Sequence, residues 1–168
     1  MSVIVPCIVA IDPGAHGAVA FLTDGGALLD VLDMPSVTVK VSGKNRTRVA
    51  EQALALLIAA NRPTHAFIEA SGPRDTDGSQ QAYGMGMAAG LARGVLAGLG
   101  IPTSPPFQPA AWKRTMGLTS DKGLSRQRAM MMFPARADLF ARVKDDGRAE
   151  AALLGLYGLR TLQREMAA

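Results

Sequence analysis

The sequence predicts a single α/β domain, a mixed sheet with helices on its faces. Three observations lead there. Three apolar runs of strand length fill the first 33 residues, separated only by short turns, so they pair as antiparallel hairpins. Beyond residue 48, helical spacing alternates with short extended runs, the pattern of crossovers that return to one sheet. The chain has 168 residues, 48% hydrophobic and 19% charged, enough for one full core.

The opening strands are expected at about 3–11, 16–22 and 27–33. Asp12-Pro13-Gly14 and Thr23-Asp24-Gly25-Gly26 turn the chain between them. Pro6 suits an edge position or the early part of the first strand, and Cys7 reads as core. Residues 35–48 are polar and basic, without apolar period, and are expected to form a loop. A helix follows over Thr47–Asn61, with Ala50, Leu54, Leu57 and Ile58 on one face and Arg62-Pro63 as its stop. THAFIEA (64–70) is a short buried strand that ends at an acid, Glu69, and SGPRDTDGS is a loop. Residues 80–100 form a small-residue helix with Ser79 as N-cap. IPTSPPF is extended, PAAWKRTMG a helical turn, and DKGLSRQRAMMMFP a basic amphipathic helix stopped at Phe133-Pro134. The last helix spans about Asp145 to Gln163. The order β-β-β-α-β-α-β-α-α gives five strands: three antiparallel, then parallel additions.

Composition excludes several classes. No apolar stretch reaches the ~18 residues of a membrane span, and MSVIVPCIVAIDPG has neither a basic region nor a cleavage site of secretory type. One cysteine cannot make an internal disulfide. A cytoplasmic protein is expected. Net charge is +4, unevenly spread. The first 39 residues hold four acids and no base, residues 36–48 four bases and no acid, and residues 112–148 nine bases against four acids. Such clusters suit either a polyanion partner or a solvated helical face.

Four carboxylates form the chemical signal. Asp12 and Glu69 both end apolar strands, and a rim at strand ends is where open α/β sheets build sites. In KDDGRAEAALLGLYG, Asp146 and Glu150 lie four apart and so share a helical face that Leu153, Leu154 and Tyr157 continue inward. Asp145 is rotated about 100° off that face. Partly buried carboxylates in a cluster must be protonated or neutralised by a cation. An all-oxygen set suits Mg²⁺ or Mn²⁺, and two such ions support phosphodiester hydrolysis. The plainer reading makes Asp12 a turn residue and Asp145 or Asp146 an N-cap. His16 and His65 lack ligand spacing and read as turn or surface residues.

The ordered segments IVAIDPGAHGAVAFL, FIEASGPR, SQQAYGMGMAAGLARGVLAGLGIP, PAAWKRTMGL, DKGLSRQRAMMMFP and DDGRAEAALLGLYG resemble the RuvC-type Holliday junction resolvases of the RNase H-like superfamily, most of all their phage and prophage-associated branch. The resemblance covers most of the chain. It implies a homodimer that cleaves branched DNA with two symmetric nicks, using two Mg²⁺ ions for which Mn²⁺ substitutes. By position it implies Asp12, Glu69, Asp146 and Glu150 as metal ligands, although the family usually has Asp where Glu150 stands. Lys113 and Lys122 match basic positions near the scissile phosphate, where a cation offsets developing charge. Arg126, Arg128 and Arg148 are implied phosphate contacts. Lys40, Lys44, Arg46, Arg48, Arg74 and Arg114 complete the expected DNA-binding set. Gln80, Gln81 and Tyr83 follow a loop that faces the junction centre in such enzymes, although Tyr83 also reads as core. Trp112 reads as a packing anchor, and the glycine-rich helix at 84–98 as the dimer surface.

Rival readings keep the fold with another substrate (flaps, replication intermediates or RNA-containing duplexes) or keep binding without catalysis. The D-x-G turn also opens actin-like nucleotide-binding folds. Those need a second phosphate loop and a second domain, for which 168 residues leave no room.

Overall fold

The computed structural model describes residues 6–73, 76–119 and 121–167. Among these residues the strands are β1 (Cys7–Asp12), β2 (Ala18–Thr23), β3 (Leu28–Asp33), β4 (Ser36–Val41), β5 (Lys44–Val49) and β6 (His65–Ile68). The helices are α1 (Glu51–Asn61), α2 (Ser79–Gly98), α3 (Pro109–Thr115), α4 (Lys122–Met132) and α5 (Asp146–Met166), with a 3₁₀ segment at Pro134–Phe140 between the last two.

The main sheet runs β3-β2-β1-β6. The first three strands are antiparallel neighbours, as the short turns require, and β6 lies parallel to β1. The expected fifth strand is absent among the described residues. Residues 101–107 touch the β6 edge at only two bridges, Ala66 to Thr103 and Glu69 to Phe107. Pro102, Pro105 and Pro106 remove the donors that a continuous ladder needs.

The expected loop at 35–48 is instead a β-hairpin, β4 against β5. Val37, Val39 and Val41 alternate with polar residues, and Val41 pairs with Lys44 across a two-residue turn. Ser42 and Gly43 both take positive φ, 49° and 77°, as a two-residue hairpin turn demands. Because β5 runs to Val49, α1 begins at Glu51 rather than near Thr47. Ser79 is the first helical residue of α2 and makes no cap bond; Gly78 holds the cap position. Asp121 does cap α4, accepting from the Gly123 N–H at 2.8 Å.

Period-two alternation sorts the core into two layers. Val9, Ile11, Val19, Phe21, Ala66 and Ile68 face α1 and α2, against Leu54, Ile58, Ala92 and Leu96. Ile8, Ala10, Ala20, Leu22 and Phe67 face α5 and its neighbours, against Leu153, Leu154, Trp112 and Phe140. The central strands are therefore buried on both faces, and the molecule is a three-layer α/β/α domain. No helix among the described residues is long and apolar enough to cross a membrane.

Candidate active site

The same alternation aims two acids. Asp12 follows Ala10 and Ile8 on the α5 side of β1, and Glu69 follows Phe67 on the α5 side of β6. Ile11 lies opposite Ile68 in the parallel pair, so Asp12 and Glu69 leave neighbouring strand ends together. The Glu69 N–H donates to the Ile11 carbonyl at 3.1 Å and extends the ladder to this point.

Two glycines shape that rim, Gly147 in α5 and Gly17 in the β1–β2 turn. At Gly147 a Cβ would stand 3.0 Å from the His16 carbonyl oxygen. At Gly17 it would collide with the carbonyl of Asp12. Gly17 thus lets the β1–β2 turn close tightly, and Gly147 lets the first turn of α5 lie directly on that turn, which carries Asp146 and Glu150 to the strand ends.

Lys113 ties the cluster together. Its ammonium donates to Glu150 Oε2 at 2.8 Å and lies 3.7 Å from Glu69 Oε1. The indole N–H of Trp112, a residue only 1% exposed, donates to Glu69 Oε1 at 2.9 Å. Ser125, also buried, reaches Glu150 Oε1 at 3.5 Å. Arg126 Nε donates to Asp146 Oδ1 at 3.2 Å.

Burial raises the Glu69 carboxyl above the usual range; the Lys113 charge and the Trp112 hydrogen bond oppose that push, and the Glu150 charge adds to it. For Lys113, burial works downward, but the Glu150 hydrogen bond and the charges of Glu150, Glu69 and Asp12 outweigh it, so its pKa is raised. Lys113 is a fixed cation at neutral pH.

Asp145 does something else. Fully buried, it accepts from the Arg142 backbone N–H at 2.8 Å and from the Arg142 guanidinium at 2.9 and 2.6 Å. Burial pushes its pKa up, but these bonds outweigh burial and hold it below the usual range. Arg148 turns toward β3, with Nε 2.6 Å from Asp33 Oδ1. Asp145 and Arg148 thus belong to an ion cluster that pins the start of α5, whereas Asp146 stands beside Arg126.

Lys40, Lys44, Arg46 and Arg48 lie on the β4–β5 hairpin, Arg114 is exposed on α3, and Gln80 and Gln81 are exposed in the first turn of α2. Tyr83 is 56% exposed, so the core reading of it does not hold. Arg74 and the Lys122 side chain lie outside the described residues. His16 is exposed in the β1–β2 turn. Half-buried His65 shares a 2.8 Å hydrogen bond with Ser104, away from the acids. The sequence signal for Trp112 was its bulk, which says packing. A buried indole N–H also needs an acceptor, and that requirement is what leads to Glu69. For Ser125 the sequence held no signal beyond a small polar residue in an amphipathic helix.

Among the described residues, no group of three or more acidic, histidine or cysteine side chains is gathered tightly enough to grip one metal ion as placed. Lys113 stands as the cation between Glu69 and Glu150. The donor chemistry, carboxylate oxygens without sulfur or imidazole, nevertheless fits a hard divalent ion.

No protein-family model matches the chain, and no curated protein matches its sequence. Solved structures do match. RuvC from T. thermophilus in complex with a Holliday junction substrate superposes with a TM-score of 0.61 at 14% identity, over 94% of this chain and 96% of that one. A second Thermus thermophilus RuvC structure gives 0.56 at 13% identity over the same shares. At such identity the likeness speaks for the fold, and it is end to end: the chain has a RuvC-like fold, as the sequence resemblance implied.

Proposed function

We propose that this chain is a divalent-metal-dependent, structure-selective endonuclease that resolves four-way DNA junctions by paired symmetric nicks, working as a homodimer. One observation carries the reading. On a RuvC-like fold, Glu69 and Glu150 converge on the Lys113 ammonium at the strand ends, beside Asp12.

Asp12, Glu69, Asp146 and Glu150 would hold two Mg²⁺ ions, with Mn²⁺ able to replace them. When bound, the ions supply Lewis-acid stabilisation of charge on the phosphate oxygens. The chain's own groups do the rest. Trp112 and the β1–β6 ladder fix Glu69 in place. Lys113 brings positive charge to the place where the phosphate gathers negative charge. Lys122 is the second candidate for that role. Arg126, Arg114 and the cations of the hairpin hold the flanking backbone. The exposed glycine face of α2 is the proposed dimer contact.

The test is cleavage of a labelled mobile four-way junction against a linear duplex of the same sequence, in Mg²⁺ and in EDTA. Paired nicks in the junction alone, abolished by EDTA, are expected. Equal cutting of flaps or duplex would move the assignment to a debranching nuclease. Asp12→Asn should leave junction binding near normal and reduce cleavage at least about 100-fold, roughly 3 kcal/mol of barrier; cutting at wild-type rate would refute the assignment of the site.

A further inference from the structure

The carboxylate cluster uses only the α5 side of the rim. On the α2 side lies a groove of about 860 Å³. One wall is the β4–β5 hairpin, the other the N-terminal half of α2, and the β1–β2 turn with Asp12 closes one end. Arg46 and Arg48 line the hairpin wall; Gln81 and Tyr83 line the helix wall. Among the described residues that line it, Asp12 is the sole acid.

The hairpin register sets the cations in a row. Arg48 pairs with Val37, Arg46 with Val39 and Lys44 with Val41, so all three cations sit on one face at alternate positions of β5. Alternate residues on a strand recur every ~6.8 Å, a spacing like that of successive phosphates on an extended nucleic-acid strand. None of the ion pairs among the described residues uses these three side chains. Across the groove, Tyr83 offers an exposed ring, and an aromatic face opposite a basic track is how proteins hold unpaired strands. The volume is that of a drug-sized ligand site, roughly 300–1,000 Å³. That is room for two or three nucleotides of one strand.

We infer that the β4–β5 hairpin and α2 form a guide for one unpaired DNA strand, its phosphates on Arg46 and Arg48 and a base on Tyr83, leading to Asp12. The inference rests on the nuclease reading and deepens it. Such a guide takes up a strand splayed at a branch, which a linear duplex does not offer, and so would favour branched substrate.

The experiment is anisotropy titration, in EDTA, of a labelled short oligothymidine and of a blunt duplex of equal length, across a salt series. The wild type should bind the single strand more tightly than the duplex. Arg46→Ala with Arg48→Ala should weaken single-strand binding and flatten the plot of log K against log salt by about 1.4, two phosphates at ~0.7 each. Tyr83→Ala should weaken it by roughly 5- to 100-fold, and Tyr83→Phe should restore it. Unchanged affinity and slope in the double variant, or an unchanged Tyr83→Ala, would overturn the guide. Tyr83 stands on a long helix, so its variant reads out even if the hairpin variant fails to fold. Junction cleavage by the wild type in Mg²⁺ is scored separately. Cleavage without single-strand preference sinks the guide alone, and single-strand preference without cleavage sinks the nuclease reading alone.

Discussion

Glu69 is the residue on which the proposed function and stability oppose each other. Burial makes its ionised form less favourable in the folded chain than in the unfolded one. The folded state therefore holds this proton more tightly. Its contribution is greatest below the ordinary carboxylate range and is lost as pH rises through the raised native value. Glu69→Gln keeps an oxygen to accept from Trp112 and removes the charge. Cleavage should collapse while Tm at pH 8 rises, by roughly 2–4 °C for each kcal/mol recovered, and the gap should narrow toward pH 4. Calorimetry at the two pH values checks it; a lower Tm at pH 8 would refute the account. Trp112→Phe tests the other end of that hydrogen bond. It keeps most of the ring packing and loses the donor, so junction cleavage should fall about 10- to 100-fold, as for groups that orient metal ligands. Asp12 and Glu69 were legible in the sequence because each closes an apolar run, and strand parity did the rest. The Trp112 bond was not, since nothing local links residue 112 to residue 69.

At the scale of elements, α5 is held by its start and by its close fit to the sheet. Asp145, Arg142, Arg148 and Asp33 tie its first turn to β3. The Asp145 carboxyl is held low, so its stabilisation is full above the ordinary carboxylate range and is lost as pH falls through the depressed native value. Asp145→Asn should lower Tm at pH 7, and the deficit should close in strong acid; thermal melts from pH 7 down to pH 2 measure both. Further along, a Cβ at Gly158 would stand 2.5 to 2.7 Å from the Phe67 ring. Gly158→Ala should cost about 1–3 kcal/mol by overpacking, read by denaturant midpoint. Element order and helix ends were mostly visible in the chain, through Pro63, Phe133-Pro134 and the hydrophobic period. The β4–β5 hairpin was hidden because its cations masked a valine alternation. The fifth strand was expected where the prolines of residues 102–106 permit only two bridges.

The whole molecule divides its labour between the faces of one sheet. The α5 face carries the acids, the groove beside α2 carries the basic ribbon, and the outer surface of α2 remains open. There Gly86, Gly90, Gly94 and Gly98 repeat every four residues, all exposed, and a Cβ on any of them would meet nothing within 4 Å. A helix gains nothing from the three interior ones, Gly86, Gly90 and Gly94, on its own, because each costs about 1 kcal/mol relative to alanine. Their use is close approach by another surface, and a second copy of α2 packed against the first is the proposed one. Two opposed copies would supply two sites, as paired nicks require. Gly90→Arg separates this from a merely tolerated composition. The substitution improves intrinsic helix propensity, so the Tm of an isolated chain should hold or rise. The arginine nevertheless blocks approach, so sedimentation should shift from twice the chain mass to the chain mass. Junction cleavage should then pass from paired nicks to single, uncoupled ones. A Gly90→Arg protein that still sediments as a dimer would move the interface elsewhere on the molecule.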